Sequence, residues 1–413
     1  MEKKSLKTQI VEKVLRWASI TVLWRQNPII IGVTGSVGKT TTKDMIAHVL
    51  KKRKTIWATQ KNYNNEIGVP LTVLCIEKNI SSLGGLLYIC GKWFWAMCTV
   101  NYPEILVVEM GVDRPGDMDY LTSIVQPDIS VITAVSHAHS EFFPSVMDIA
   151  NEKQKIVTNM KKTGTAIINA DDRYVESVKK KTDVKIVSYG TKDGVNFCAS
   201  DIEVCFRKHD LTGLSFKLNY KGKVMPVRLK NVIAEHLIYA ALAALAVADN
   251  LQVNVVEAAR DITDFISSPG RMRLLDGKND VLIIDDTYNA SPKAMDAAIK
   301  TLQSASAFRK IAVLGDMLEL GEISKNAHEK VANQLAKTDV HIVFFVGREM
   351  EHAYKKLKKN KSIETYHFTS ASDAVDVVMK KLVQGDVVLC KGSRGMKMEQ
   401  IVKEIAIDHS QTL

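Results

Sequence analysis

The residues best suited to chemistry lie in a glycine-rich segment near the N-terminus, GVTGSVGKTTT at positions 32–42. A β-branched run precedes it and a helical pattern follows, so backbone N–H groups at the helix start could cradle phosphates. Lys39 would neutralise β- and γ-phosphate charge, and Thr40 would offer its hydroxyl to Mg²⁺. Five residues separate Gly32 from Gly38 where a strict P-loop has four, and the alternative is a turn with a surface lysine. We favour phosphate binding, with these residues as its site: Gly35, Ser36, Val37, Gly38, Lys39, Thr40 and Thr41.

Three other segments place polar groups at the ends of predicted strands. Glu109 ends the run ILVVE, where a carboxylate could bind Mg²⁺ beside the loop. Asp286 follows another strand and could face a ligand or cap the next helix. The turn KGSRGMK at 391–397 suits an anionic ligand or is a solvated basic turn. His137 and His139 lack zinc-site spacing, and the residues alone favour a structural role for at least one of them.

Strand and helix patterns alternate along most of the chain, which predicts an α/β fold with parallel sheets. We expect an amphipathic helix at 1–27, a central P-loop-type ATP-binding sheet domain at 28–268 and a Rossmann-like C-terminal domain at 269–413. The sequence SSPG at 267–270 marks the hinge between these two domains. Residues 195–229 resemble antiparallel strands, and 236–250 resemble a buried helix rich in alanine and leucine.

Composition narrows the class of protein. A chain of 413 residues with 46% hydrophobic and 25% charged residues is globular, which excludes disordered and fibrous classes. The net charge of +10 resides in residues 1–61, where 13 Lys and Arg face three acids; the balanced remainder argues against a nucleic-acid partner. Six cysteines without a C-x-x-C pair disfavour a zinc ribbon and a disulfide scaffold, and a cytoplasmic location is expected.

Two apolar segments raise the question of a membrane. The segment at 17–24 is too short to span a bilayer, and the aromatic segment at 83–100 is of borderline length with Lys92 near its middle. A buried helix, a span and peripheral attachment all remain open for the second segment. We expect the basic N-terminal residues to face a membrane or an acidic partner; they are Lys3, Lys4, Lys7, Lys13, Arg16 and the run at 51–54.

Taken in order, the motifs resemble those of the Mur ligase family. The segments are GVTGSVGKTTTKD, NYNNEIGVPLTVL, EMGVDRPGDM, AHSEFF, IANEK, PGRMR, IDDTYNASPKAMDAA, LGDMLELGE and LCKGSRGMKME, within residues 29–405. The last three are typical of the MurF branch, which adds D-alanyl-D-alanine to a UDP-N-acetylmuramoyl-tripeptide. The resemblance implies an ATP-dependent, ADP-forming ligase of cell-wall synthesis, which forms an acyl phosphate that an amine then attacks.

The resemblance also implies roles for individual residues. Lys39, Glu109, His139 and Lys153 would be catalytic, with two Mg²⁺ ions held by Thr40, Glu109, His139 and a carbamylated Lys153. Nucleotide contacts from the C-terminal domain would come from Arg271, Asp286, Tyr288 and Asn289, so that domain closure assembles the site. Asn64, Asn65, Lys391, Ser393 and Arg394 are expected to bind substrate.

Three departures from the family are visible. We expect the family's N-terminal UDP-binding domain to be missing, since only about 28 residues precede the first predicted strand. The family's H-N-x-x-N helix start reads HLIYA at 236–240, and an aromatic insertion surrounds Trp93. They predict a different or lipid-linked acceptor, a muramoyl-peptide-like carboxylate joined to an amino acid or dipeptide, at the inner face of the membrane. The alternatives are a folylpolyglutamate-like ligase and a nucleotide-binding scaffold without catalysis.

Overall fold

The computed structural model describes residues 6–60, 63–77, 83–136, 142–205, 213–230 and 232–407. The described residues form two compact units. The first runs to Ser200 and also takes Leu218–Met225 and Ile238–Ile262; the second takes Asp201–Lys217, Pro226–Leu237 and the chain from Thr263. Each unit contains several separate segments of the chain, so this division does not test the single domain boundary predicted at 268–269. That boundary remains a prediction.

A parallel sheet forms the frame of the first unit. Its strands are β1 (Ile29–Thr34), β2 (Ile56–Ala58), β3 (Ile105–Glu109), β4 (Ile129–Ile132), β5 (Thr165–Asn169) and β6 (Lys185–Gly190), in the order β2-β3-β1-β4-β5-β6. The inner strands β1, β3, β4 and β5 are buried almost throughout, as continuous β-branched runs predict for a sheet covered on both faces. The predicted parallel α/β fold is confirmed.

Three further strands continue the order beyond β6: β7 (Phe197–Cys205), β8 (Gly213–Tyr220) and β9 (Lys223–Lys230). Lys221 and Gly222 join β8 to β9, both with positive φ, which is the two-residue turn of an antiparallel hairpin. The hairpin agrees with the predicted antiparallel segment. Strand β7 differs from the prediction because it pairs with β6 in the parallel direction.

Nine helices are described in the first unit. They are α1 (Leu6–Gln26), α2 (Lys39–Leu50), α3 (Gly68–Val73), α4 (Leu83–Cys98), α5 (Asp117–Ile124), α6 (Val146–Thr158), α7 (Arg173–Glu176), α8 (Ile238–Asn250) and α9 (Val255–Asp261). Helix α8 is buried along nearly its whole length and packs against α2, as its alanine- and leucine-rich sequence predicts. No helix in the described ranges has the length and apolarity that crossing a bilayer requires.

The basic run at 51–54 is exposed, as a surface that faces a membrane or an acidic partner would be, but most of its cations also have acidic neighbours in the structure. Lys52 and Arg53 form ion pairs with Asp261, and Arg53 also pairs with Glu257. Lys54 pairs more loosely with Glu104, with 3.5 Å between Nζ and Oε1. These acids are distant in the sequence, so their proximity could not be predicted from the local pattern. Three of the four cations therefore have acidic neighbours within their own unit.

The second unit contains its own sheet. Its strands are β10 (Arg273–Gly277), β11 (Val281–Asp286), β12 (Arg309–Gly315), β13 (Ile342–Val346), β14 (Glu364–Phe368) and β15 (Asp386–Lys391), in the order β10-β11-β15-β12-β13-β14. Only the β10–β11 pair among these strands is antiparallel. The helices are α10 (Pro292–Ser304), α11 (Ser324–Leu335), α12 (Met350–Leu357), α13 (Ala371–Lys381) and α14 (Glu399–Ile405). This alternation is the Rossmann-like pattern expected after the hinge.

A buried ion pair joins the starts of two neighbouring strands in this sheet. The Arg309 guanidinium donates to both oxygens of Asp386, at 3.0 Å each, and also to the carbonyl of Lys381. Asp386 is buried and accepts a further hydrogen bond from the backbone N–H of Val383. The carboxylate thus fixes the strand start and the turn before it.

Replacing Asp386 with Ala should lower the free energy of unfolding by about 3 kcal/mol, because it leaves a partly buried guanidinium and a backbone N–H unpaired. Thermal denaturation of the full chain would measure the change. Asp276→Ala, at an exposed aspartate on β10, is the matched control and should have little effect. Equal melting temperatures for the two variants would contradict the assigned role of the pair.

Candidate active site

The glycine-rich loop lies between the end of β1 and the start of α2. Gly38 takes φ of 85°, a left-handed conformation that glycine adopts without strain, and it has no side chain with which to cap α2. Gly35 lies so close to Thr133 that an added Cβ would be 1.9 Å from the threonine hydroxyl. Both positions therefore require glycine. The first turn of α2 presents backbone N–H groups and a positive dipole end, which suit a phosphate.

Residues that follow β4 form hydrogen bonds with this loop. The N–H of Ser36 donates to the carbonyl of Ala134 at 2.6 Å, and its hydroxyl donates to the carbonyl of Ser136 at 3.1 Å. The Thr133 hydroxyl donates to the carbonyl of Val37 at 2.7 Å. Sequence reasoning missed Thr133, since nothing in its local pattern reveals that it supports the loop. The loop is thus held in shape by the neighbouring strand.

Lys39 and Thr40 begin α2, and their side chains have different partners. The Lys39 ammonium donates to the carbonyl of Gly35 at 2.8 Å, so the charge lies over the loop. The Thr40 hydroxyl donates to Glu109 Oε2 at 2.9 Å. The structure therefore brings together the predicted phosphate-binding cation and two of the four predicted Mg²⁺ ligands, Thr40 and Glu109.

Glu109 is held on both sides at the end of β3. Its side chain is 2% exposed, and Asn64 Nδ2 donates to Oε1 at 3.0 Å while Thr40 binds Oε2. Its backbone N–H donates to the hydroxyl of Thr59. Thr59, which follows the short strand β2, was missed in the sequence because that strand carries no distinctive motif. A buried carboxylate oriented by two side chains, on a backbone that a third holds, is a preorganised oxygen ligand.

The oxygens of Thr40 and Glu109 fit Mg²⁺, which prefers hard oxygen ligands and keeps several waters. Within the described ranges, no group of three or more His, Cys, Asp and Glu side chains gathers as a metal site. A divalent ion at this pair would accordingly complete its shell with water and phosphate oxygens. The predicted ligand His139 lies outside the described residues, as does His137.

The two predicted substrate-binding asparagines have different contacts. Asn64 touches Glu109 through its side chain, and its carbonyl accepts the N–H of Gly111 at 2.7 Å. Asn65 instead contacts the start of α3, since its side-chain oxygen accepts the N–H of Gly68 at 2.9 Å. Asn64 is therefore part of the candidate site, while the observed contacts of Asn65 shape the helix beside it.

Among the described residues of the first unit, Lys153 on α6 is the most deeply buried cation, with 1% of its surface exposed. Burial, reinforced by the positive charge of Lys39, lowers the pKa of its ammonium from 10.5 to about 7, although Asp113 and Glu152 oppose the shift. Glu152 is itself engaged by the backbone N–H of Met118 and by a lysine one turn along. An appreciable fraction of Lys153 is therefore a neutral, nucleophilic amine near neutral pH.

The second unit has its own cluster of charged side chains, at the ends of β11 and β15. Asp286 and Lys391 are register partners on these strands, and their Oδ2 and Nζ atoms are 2.6 Å apart. Lys391 also donates to the carbonyl of Asn289. Burial lowers the pKa of the His236 imidazole below its ordinary value, with Asp286 opposing and Lys391 adding to the shift. His236 thus lies within electrostatic range of Asp286 and Lys391. The sequence around His236 does not predict that proximity.

Two arginines share one aromatic ring in the same unit. The Arg271 guanidinium lies 4.0 Å from the ring centroid of Tyr288, and that of Arg394 lies 5.7 Å from it. Cation–π contacts of this kind hold guanidinium groups in place while leaving their N–H donors for an anion. The structure therefore brings Arg271, Tyr288 and Arg394 together, although they are far apart in sequence.

Ser393 joins loops of the second unit. It is buried, its hydroxyl accepts the N–H of Leu318, and its own N–H donates to the carbonyl of Asp316. Asp316 in turn accepts the backbone N–H groups of Glu349 and Met350 at the start of α12. These contacts join the segment LGDMLELGE to the turn that carries Ser393 and to the start of α12.

Comparisons with known proteins agree with this geometry. The family model for the Mur ligase middle domain matches residues 33–248, and that for the Mur ligase, glutamate ligase domain matches 270–394. A Bacillus subtilis relative, UDP-N-acetylmuramoyl-tripeptide–D-alanyl-D-alanine ligase, is 31% identical over 91% of this chain and 75% of its own length.

Solved structures give the same result. MurF from Acinetobacter baumannii matches with a TM-score of 0.79 and 25% identity, covering 95% of this chain and 80% of that one. MurF ligase from Thermotoga maritima in complex with ADP matches with a TM-score of 0.77 and 27% identity, covering 98% and 84%. This chain belongs to the Mur ligase family.

Proposed function

We propose that this Mur ligase is of the MurF type and joins D-alanyl-D-alanine, or a similar amine, to a muramoyl-peptide-like carboxylate at the expense of ATP. The observation that carries the proposal is the buried Glu109, whose carboxylate accepts the hydroxyl of Thr40 at the start of α2, directly after the glycine-rich loop. That arrangement suits Mg²⁺–ATP chemistry, and it occurs in a chain whose relatives are named for D-alanyl-D-alanine ligation.

The reaction runs in two balanced steps. A substrate carboxylate oxygen attacks the γ-phosphorus of ATP, which releases ADP and leaves an acyl phosphate. The neutral amine then attacks the acyl carbon, and the tetrahedral intermediate expels inorganic phosphate as the amide forms, with loss of one proton from the amine. Both steps bring anions together, so cationic and N–H groups at the phosphates lower the barrier.

The first unit would bind the triphosphate. Lys39 and the N–H groups at the start of α2 would hold the β- and γ-phosphates, while Thr40 and Glu109 would hold Mg²⁺. When bound, Mg²⁺ supplies Lewis-acid polarisation of the phosphoryl oxygens and screens their charge. Asn64 keeps Glu109 oriented through the bond to Oε1, so the carboxylate requires no rearrangement to accept a ligand.

Lys153 would act as a carbamate, as the family resemblance suggests. Its neutral amine would attack CO₂ and lose one proton, forming N-carboxylysine, whose negative charge replaces a cation. Burial and the nearby charge of Lys39 both disfavour the ammonium form, so the amine is available in the neutral form that reacts. The charge of Lys39 would also stabilise the carbamate anion. The carboxylate so formed would provide oxygen atoms for a second Mg²⁺, the role that we assign jointly to Lys153 and His139.

The second unit would provide nucleotide and substrate contacts. Arg271, Asp286, Tyr288 and Asn289 are proposed for the nucleotide, and Lys391 and Arg394 for the substrate. The shared Tyr288 ring supports this assignment, since it holds two guanidinium groups whose N–H groups can donate hydrogen bonds to an anion. Ser393 would contribute through the loops that it joins, because its hydrogen bonds are to backbone groups.

We further propose that the enzyme works on the cytoplasmic side of the membrane, on an acceptor that is UDP-linked or lipid-linked. The support is the concentration of net positive charge in the first 61 residues and the aromatic segment around Trp93.

Purified protein with ATP, Mg²⁺, D-alanyl-D-alanine and UDP-muramoyl-tripeptide should release phosphate and ADP in equal amounts. Lys39→Ala should reduce turnover at least about 1,000-fold, because it removes the cation over the phosphates. Lys51→Ala, at the other end of α2, is the matched control. Nucleotide binding without turnover across several carboxylates and amines would instead support a scaffold protein.

Lys153→Ala should also abolish turnover, with partial recovery in added acetate or formate, which can supply the missing carboxylate. In ¹³CO₂-equilibrated buffer, wild-type protein should show a carbamate carbon signal by NMR that the variant lacks. Lys155→Ala on the same helix should keep both the signal and the activity. An unchanged rate for Lys153→Ala, or no carbamate signal in the wild type, would refute this role.

A further inference from the structure

Helix α4 exposes an apolar face that its own unit does not cover. Ile89 and Ala96 on one side are buried, whereas Leu87 and Phe94 on the other are 78% and 64% exposed. The same outer side carries Tyr88, Cys90, Gly91, Trp95 and Cys98, all of them exposed. The sequence of α4 contains one charged residue, Lys92. A face of this kind on a surface helix marks a binding site for another apolar body.

Helix α1 has a second stripe of the same character. Its buried side consists of Leu15, Ala18 and Val22 at helical spacing. A different side of the helix carries exposed apolar residues at a spacing of seven: Ile10, Trp17 and Trp24. Trp24 is 82% exposed, and Ile20 lies on the same stripe. This helix is thus apolar on two sides, and the sequence pattern alone did not show which of them the fold buries.

The stripe and the face lie side by side. The rings of Trp17 and Trp93 are 5.3 Å apart, and Trp93 Nε1 donates to the Thr21 hydroxyl at 2.9 Å. Gln26 donates to the carbonyls of Ala96 and Thr99, which fixes the ends of the two helices. We call the exposed apolar residues of α1 and α4 the aromatic face: Ile10, Trp17, Ile20, Trp24, Leu87, Tyr88, Phe94 and Trp95.

The charges around this face are mainly positive. Helix α1 contains Lys7, Lys13, Arg16 and Arg25 with Glu12 as its single acid. Lys13 is exposed, on the side that carries Ile10 and Trp17, and Lys92 Nζ lies 5.2 Å from the Trp95 ring centroid. Two copies meeting through such a face would bring like charges together, whereas a negatively charged surface complements them.

From this we infer that the aromatic face binds the surface of a bilayer that contains anionic lipids. The two helices would lie in the plane of the interface, with indole and phenyl rings at the acyl boundary and the cations among the headgroups. The inference rests on the membrane-side location within the proposed function and names the residues and the lipid class involved. It is independent of the ligase chemistry.

The test is a sedimentation assay of the full chain at low salt. It compares vesicles of phosphatidylcholine alone with vesicles that also contain about 30% phosphatidylglycerol, an anionic lipid. Wild-type protein should sediment with the anionic vesicles, stay in solution with the neutral ones, and lose binding at high salt. Phe94→Asp should weaken binding at least about tenfold, because it places a charge in the interface. Phe308→Asp is the matched control, since Phe308 is 88% exposed in the second unit.

Failure to sediment with anionic vesicles, or equal binding by wild type and Phe94→Asp, would overturn the inference. It would also be overturned if light scattering showed a dimer that Phe94→Asp dissociates, since the face would then be a self-association surface. Phosphate release measured without vesicles separates the two proposals. Turnover without vesicle binding contradicts only the membrane surface, and vesicle binding without turnover contradicts only the ligase.

Discussion

The contact between Thr40 and Glu109 is the interaction on which the first unit's site depends. It joins the start of α2 to the end of β3, and Asn64 and Thr59 extend the same contact to the segments before α3 and after β2. A carboxylate as buried as Glu109 is stable only with its oxygens satisfied, so the segments that surround it cannot shift independently. The phosphate loop therefore has a fixed shape before any nucleotide arrives, which is the condition for electrostatic catalysis.

The second unit uses the register of its sheet in a similar way. Because β11 and β15 are parallel neighbours, Asp286 and Lys391 come to lie opposite each other at the carboxyl ends of the strands. The Lys391 side chain is almost inaccessible to water, and removing Asp286 would leave this buried charge uncompensated. Asp285 next to it accepts the N–H of Gly270 at 2.8 Å, so the predicted hinge sequence is fastened to the strand end. The same strand thus positions the site and anchors the chain that enters it.

The sequence predicted the parts of the fold that depend on local pattern. The buried strands β1, β3, β4 and β5 were visible as apolar runs, and the glycine-rich loop was visible from its spacing. Strand β14, ETYHF, was missed because it is a half-exposed edge strand whose composition resembles a loop. Long-range contacts were missed for a different reason. Nothing near Arg53 predicts Asp261, and nothing near Thr133 predicts the loop that it supports, since both contacts depend on tertiary folding.

The contacts of individual cations show how the positive charge of the first 61 residues is distributed in the structure. The excess of cations in the first 61 residues looked like one basic surface, but the structure divides it by environment. Lys39 lies over the phosphate loop, Lys52 and Arg53 are neutralised by acids, and Lys13 lies with the exposed apolar stripe of α1. A cation neutralised by a neighbouring carboxylate contributes little to the field felt by a distant partner. The positive charge that can attract an anionic surface is therefore smaller than the net charge suggests, and Lys13 contributes to it from the exposed apolar stripe of α1.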